Sequence, residues 1–197
     1  MSAHLLLLVG LLVFLGSHSL RIVAPAWREA QVARLGEQRW KDLFSVVSLA
    51  SFVLLAWAWG QTRSDPLVLW VPPLWARHVA SSLVLPAFIL LVAAYVPRNG
   101  LKARVGHPMV AGTKLWALAH LIANGNLGDV MLFGGFLVWA VFDFVSARRR
   151  DRAAGVVYPA GSIPRTAAAV AIGLVAFWLF ARYAHLWLFG AYPFATT

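Results

Sequence analysis

The apolar residues of this chain fall into blocks, each about as long as a membrane span, which short polar segments separate. A helix needs roughly 20 residues to cross the hydrocarbon core of a bilayer. The pattern predicts six such helices, at about residues 4–23, 43–60, 76–96, 108–124, 129–145 and 166–192. Residues 24–42 and 66–75 are interrupted by glycine or proline, and we expect them at the membrane interface. The predicted fold is an all-α, polytopic integral membrane bundle that forms one domain over residues 1–197.

The basic residues support this count and give the helices a direction. Of the 17 Lys and Arg residues, 13 lie in the segments that follow the first, third and fifth blocks, when Arg21 at the end of the first block is included. Cytoplasmic loops of membrane proteins carry such an excess of basic residues. We therefore predict six crossings with both termini on the side away from the cytoplasm. The net charge of +10 is explained by these loops, so the expected partner is the lipid bilayer and not nucleic acid.

The start and the composition of the chain exclude several interpretations. No basic residue precedes the first apolar block, and the positive charges begin with Arg21 at its far end, whereas a cleaved signal peptide has its positive charge in front. We expect this block to be a retained helix. The chain contains no cysteine, which excludes disulfides, thiolate catalysis, iron–sulfur clusters and zinc–thiolate sites. A haem held without covalent attachment remains compatible with the composition.

The first block contains a histidine that needs an explanation, because ionisable side chains inside a bilayer are costly and usually face a partner or a cavity. His18 lies three residues before Arg21, so both share one helix face. An imidazole deep in the membrane with a guanidinium nearer the surface suits the iron and a propionate of haem. An interfacial histidine beside a charge anchor is the alternative.

The fourth block carries the densest set of candidate residues. By helical spacing, one face presents Thr113, Trp116, Ala117, His120 and Asn124. This stripe offers a nitrogen that can bind a metal, next to a flat aromatic ring and an amide, and a small residue that leaves room for a planar ligand. A helix-packing seam of small and polar residues is the alternative.

The polar side chains around the start of the fourth block form a second candidate group. His107 precedes Pro108, which suits the first position of a helix, so we expect His107 at the N-cap. It is a candidate to bind an anionic head group or a propionate, as are Lys114 and Arg104, and plain capping is the alternative for His107. Asp143, at the end of the fifth block, is expected to pair with one of these three residues.

Residues 106–125, followed by residues 132–135 and the Phe142-Asp143-Phe144 end of the fifth block, resemble the NnrU family. The Ser-His-Ser-Leu-Arg segment at residues 17–21, the helix count and the length resemble that family as well. The family is bacterial and is associated with respiratory reduction of nitrite and nitric oxide, which implies a multi-pass protein of the inner membrane with periplasmic termini. It is similar to the 15-cis-zeta-carotene isomerases, membrane haem b proteins that isomerise a polyene.

The resemblance implies a site and a function. His18 and His120 match the histidines that bind the haem b iron. The further candidate cofactor-binding residues are Arg21, His107, Lys114, Trp116 and Asn124. Ala117 stands where the plant isomerase has a cysteine, so no thiolate is available to exchange onto the iron. The implied function is haem b binding linked to denitrification or to isomerisation of a lipid-soluble polyene. The alternative is a membrane assembly or accessory protein without a cofactor, with partners among other membrane proteins.

A second resemblance concerns the His107-Pro108-x-x-x-Gly112 element, which is similar to part of the membrane isoprenylcysteine and phospholipid methyltransferases. Those enzymes have an arginine directly before the histidine, where this chain has Gly106. They also hold S-adenosylmethionine with paired glutamates further along the chain. The sequence after Phe144 contains no glutamate, so this activity is the weaker alternative.

Overall fold

The computed structural model describes residues 2–194, and within that range the regular structure is helical. The helices are α1 (Ala3–Val23), α2 (Pro25–Leu35), α3 (Glu37–Thr62), α4 (Trp75–Tyr95), α5 (Gly100–Val105), α6 (Pro108–Ala123), α7 (Leu127–Ala153), α8 (Ile163–Leu179) and α9 (His185–Phe189), with a π-helical turn at Phe180–Ala184 between the last two. In this described part of the chain, five segments are long and apolar enough to cross a membrane: α1, α3, α4, α7 and the continuous Ile163–Phe189. This confirms an all-α fold with several membrane-spanning helices.

Two helices extend beyond the apolar blocks that predicted them. α3 begins at Glu37, six residues before its block, and α7 continues to Ala153. The three arginines at residues 148–150 therefore lie in α7, and their prediction as a loop is wrong. Hydropathy marks only the part of a helix inside lipid, whereas Arg, Glu and Ala are strong helix formers that continue it into water.

The C-terminus of α7 is closed by a glycine. Gly155 has a positive φ of 60°, a conformation that glycine adopts without steric cost. The N–H of Val156 donates to the carbonyl of Asp151 at 2.9 Å, and the N–H of Gly155 donates to that of Arg152 at 3.3 Å. This pair of bonds is a Schellman motif, which satisfies carbonyl groups left open at a helix end.

The chain divides into two compact units, and within the described range the first comprises residues 2–70 with residues 125–139. In it α1 packs on α3, and the two backbones come close at Gly10. A Cβ atom built on Gly10 would lie 2.8 Å from the Cβ of Leu55. Small residues permit such close helix contacts in membranes, where packing replaces the hydrophobic effect between helices. The prediction of a single domain stays a prediction.

Hydrogen bonds attach the start of α7 to the end of α3 and the segment after it. The indole N–H of Trp59 donates to buried Asp129 at 2.9 Å. The backbone N–H of Leu127 donates to the carbonyl of Leu67 at 2.8 Å. Gly128 lies directly against the side chain of Thr62, whose hydroxyl oxygen leaves no room for a Cβ atom at this position. These contacts determine where α7 begins.

The second unit comprises residues 71–124 and, within the described range, residues 140–194. Here α4 is the central helix, since both α6 and α8 pack on it. Each contact uses a glycine of the outer helix. A Cβ atom on Gly112 would lie 2.9 Å from the carbonyl oxygen of Ala87, and one on Gly173 would lie 2.7 Å from the Cα of Ile89.

A buried asparagine organises the segment between α4 and α5. Asn99 is fully buried, and its amide donates to the carbonyls of Ala93 at 2.8 Å and Val96 at 2.5 Å. Its side-chain oxygen accepts the N–H of Lys102 at 2.8 Å, which caps α5. Next to it, the N–H of Ser162 donates to the carbonyl of Arg98 at 2.9 Å. The start of α8 is thereby attached to the start of α5.

Candidate functional site

His18 lies on α1 in the first unit, and its ring orientation is set by the helix itself. Its Nδ1 lies 2.7 Å from the carbonyl oxygen of Phe14, one turn earlier. A carbonyl oxygen only accepts hydrogen bonds, so in the neutral imidazole Nδ1 carries the proton and Nε2 does not. An unprotonated imidazole nitrogen is the form that binds a metal ion, and a ligand histidine commonly donates its other N–H to a carbonyl.

The surroundings of His18 are aromatic. The ring of Phe14 lies 4.3 Å from the His18 ring, that of Phe44 5.0 Å and that of Trp139 6.1 Å, measured between centroids. The indole N–H of Trp139 is buried and has no hydrogen-bond partner in the described part of the chain. Buried polar groups are rarely left in this state, so a polar atom of a bound group would satisfy it.

His120 lies on α6 in the second unit and repeats the arrangement seen at His18. Its Nδ1 is 2.8 Å from the carbonyl oxygen of Trp116, and the two rings lie 5.2 Å apart. The amide of Asn124 donates to the carbonyl of His120 at 2.8 Å. Ala117 is completely buried. Thr113, Trp116, Ala117 and His120 lie within α6, whereas Asn124 is its C-cap residue and has extended backbone angles. A cofactor-binding role for these residues stays a prediction.

Arg21 and Lys114, the predicted propionate partners, differ in their surroundings. Arg21 is exposed near the end of α1, one turn after His18. Lys114 is half-buried on α6, with its ammonium group 3.7 Å from the centre of the Phe144 ring. This is a cation–π contact, which stabilises a cation at a partly desolvated position. Lys114 therefore has an aromatic partner, in addition to any role toward a bound anion.

His107 is at the N-cap of α6, as predicted, but its partner was not predicted. Its Nε2 lies 2.6 Å from a carboxylate oxygen of Asp151 in the last turns of α7. The hydroxyl of Tyr158 donates to that same oxygen and lies 3.3 Å from the His107 nitrogen. The three side chains form a half-buried polar cluster, which we call the His107 cluster.

Asp143, expected to pair with His107, Arg104 or Lys114, instead has its carboxylate 4.0 Å from Arg150 on its own helix. The carboxylate that reaches His107 is two helical turns further along α7. The sequence analysis did not predict Asp151 and Tyr158 as partners of His107. It ended the fifth block at residue 145, whereas α7 continues to Ala153. The signal was available in the run of helix formers at residues 146–154 before Gly155.

A third histidine, His185, makes the same type of ring hydrogen bond as His18 and His120. His185 also places Nδ1 2.8 Å from a backbone carbonyl, that of Ala191. Within residues 2–194, no three His, Asp or Glu side chains are placed together to hold a metal ion. A haem site supplied by two histidines needs no such group. His18 belongs to the first unit and His120 to the second, and their role as haem ligands stays a prediction.

The long apolar helices and the buried small-residue contacts define this chain as a multi-pass membrane protein. A family model described as NnrU protein matches residues 6–193. The chain therefore belongs to the NnrU family, as the residues of the first, fourth and fifth blocks predicted. No curated protein and no solved structure matches the chain significantly.

Proposed function

We propose that this NnrU family protein binds haem b, with His18 and His120 as the axial ligands. The observation that supports this most directly is the matched state of the two rings, each donating Nδ1–H to the carbonyl four residues earlier. In the neutral imidazole that donates from Nδ1, the Nε2 atom carries no proton, and this is the form of the ring that binds iron. The pairing of these two residues on one iron rests on the family resemblance.

The side chains near each histidine would perform distinct tasks toward the haem. Phe14, Phe44 and Trp139 would exclude water from the side of His18, which affects the reduction potential of a haem iron. Arg21 would bind a propionate at the surface end of α1. A haem b in such a site supplies one-electron redox chemistry. A role in nitrite and nitric oxide respiration is the cellular function that this proposal favours.

The test is an absorption spectrum of the full-length protein, purified in mild detergent from cells supplied with a haem precursor. We expect a Soret band and sharp α and β bands after reduction by dithionite, both lost in His18→Ala and in His120→Ala. His185→Ala is the matched control, because its ring has the same hydrogen bond to a carbonyl. Its spectrum should equal that of the wild type.

Other outcomes separate the alternatives. A haem spectrum that survives both ligand variants but is lost in His185→Ala would move the site to the end of Ile163–Phe189. A folded wild-type protein without a Soret band would reject haem binding and favour a membrane assembly role without a cofactor.

We also propose that α6 is a sixth crossing, with both termini in the periplasm. α6 has 16 residues and is about 24 Å long at 1.5 Å per residue, shorter than a hydrocarbon core of roughly 30 Å. The support comes from the loops on its two sides. With α6 crossing, Arg104 and the arginine-rich end of α7 lie on the same side, as the distribution of basic residues requires.

Single cysteines test this topology, since the chain has none of its own. Arg104→Cys and Val157→Cys place thiols at exposed positions before α6 and after α7. An impermeant maleimide should label both in inverted vesicles and neither in spheroplasts. Labelling of the two from opposite sides would mean that α6 does not cross.

A further inference from the structure

A groove of about 570 Å³ lies on the second unit, beside α5 and along one face of α8. Its polar lining residues include Arg104 of α5 and Ser162, the N-cap residue of α8. Along α8 its wall is formed by Ile163, Ala167, Val170, Ala171 and Leu174, which recur at helical spacing. The volume lies within the roughly 300–1,000 Å³ typical of small-molecule sites. The groove therefore has one polar end and one long apolar wall.

The groove has the depth of one membrane leaflet. From Ile163 to Leu174 the helix rises about 16 Å, and half of a hydrocarbon core measures roughly 15 Å. The opposite face of α8 is already occupied, because Gly173 packs against Ile89 of α4 and Ala169 is buried. The groove face is open, with Ile163 86% and Leu174 43% exposed. An acyl chain fits this wall in length and in polarity.

The charge at the polar end favours an anion. The described part of the second unit contains eleven Lys or Arg residues and two Asp residues. Both carboxylates have partners, Asp143 near Arg150 and Asp151 in the His107 cluster. None of the residues lining the groove is acidic, and Arg104 is exposed at its border. The groove thus combines a cationic head-group end with an apolar leaflet-deep wall.

We propose that this groove binds an anionic glycerophospholipid of the leaflet on the arginine-rich side, with its phosphate at Arg104 and one acyl chain along α8 to Leu174. Basic pockets beside membrane helices recognise lipid head groups in this way. The proposal uses contacts of the second unit alone and is independent of haem binding.

The experiment is a lipid titration of the full-length protein in detergent, followed by native mass spectrometry. Dioleoyl phosphatidylglycerol is the anionic probe, and dioleoyl phosphatidylcholine has the same chains without net charge. Arg104→Gln should weaken phosphatidylglycerol binding about fivefold, the effect of one basic residue near a head group, and leave phosphatidylcholine binding unchanged. Arg149→Gln removes an exposed charge of the same unit outside the groove and should change neither.

A second pair of variants tests the acyl chain. Ala171→Trp fills the groove wall and should weaken binding of both lipids, whereas Ala168→Trp, at an exposed position outside the lining, should not. If Arg104→Gln and Arg149→Gln weaken phosphatidylglycerol binding equally, the lipid is attracted by the basic surface in general and not by the groove. That result would overturn the proposal. Unchanged binding in Ala171→Trp, or displacement of the lipid by glycerol 3-phosphate, would overturn the acyl-chain part.

Discussion

Gly10 and Gly16 both lie on α1, but only Gly10 contacts α3. Comparing alanine substitutions at the two positions therefore measures how much the α1–α3 contact contributes to stability. A Cβ atom at Gly10 would lie 2.8 Å from the Cβ and 2.9 Å from the Cα of Leu55. At Gly16 nothing lies within 4 Å of such an atom. Gly10→Ala therefore forces two helices apart, whereas Gly16→Ala adds a methyl group in open space.

The expected magnitude follows from two opposing effects. Replacing a helical glycine by alanine stabilises the helix by about 1 kcal/mol, and this gain is common to both variants. Inserting a methyl group into a packed contact costs about 1–3 kcal/mol, and only Gly10→Ala has this cost because Leu55 contributes backbone atoms that cannot rotate away. The unfolding free energy of Gly10→Ala should be lower than that of Gly16→Ala by about 1–3 kcal/mol.

Thermal unfolding in mild detergent, followed by tryptophan fluorescence, measures this difference. For a chain of this size, about 2 kcal/mol lowers Tm by roughly 4–8 °C. Gly16→Ala, at an exposed position of α1, should unfold at or above the wild-type temperature. Equal melting temperatures for the two alanine variants would show that α1 and α3 do not approach closely at Gly10, and the packing described for the first unit would be wrong.

Two further predictions concern the second unit. Asn99→Ala should destabilise the protein by about 2–4 kcal/mol, because one buried carbonyl, one partly buried carbonyl and one N–H lose their partner. Asn124→Ala, which loses one side-chain hydrogen bond to the carbonyl of His120, should cost about 1 kcal/mol. Equal losses of unfolding free energy on chemical denaturation would contradict this. Burial, followed by the hydrogen bond to Asp151, raises the pKa of Tyr158. The contribution of Tyr158 to stability is therefore complete below the ordinary tyrosine pKa of about 10 and is lost as pH rises through the raised pKa. Tyr158→Phe should therefore reduce the loss of stability above pH 10, and an unchanged alkaline profile would count against the His107 cluster.

The sequence by itself determined the membrane-spanning segments and the residues that carry the family resemblance. Lipid offers no hydrogen-bond partner, so a membrane span must be a continuous helix of apolar residues. The hydropathy of a short stretch of sequence is enough to detect such a helix. Helical spacing likewise predicted that Trp116 lies beside His120, because both residues belong to α6. The N-cap position of His107 was predicted from its neighbour Pro108, which suits the first position of a helix.

The tertiary structure alone decided the contacts between residues distant along the chain. Asp151 reaches His107 across 44 positions because α7 continues past its apolar block, and hydropathy does not detect a helix that has left the membrane. The glycine contacts at Gly10 and Gly173 depend on which faces of two helices meet. The groove along α8 exists because its other face is occupied by α4. Such pairings depend on the rotation and extent of whole helices, which no local pattern of residues encodes.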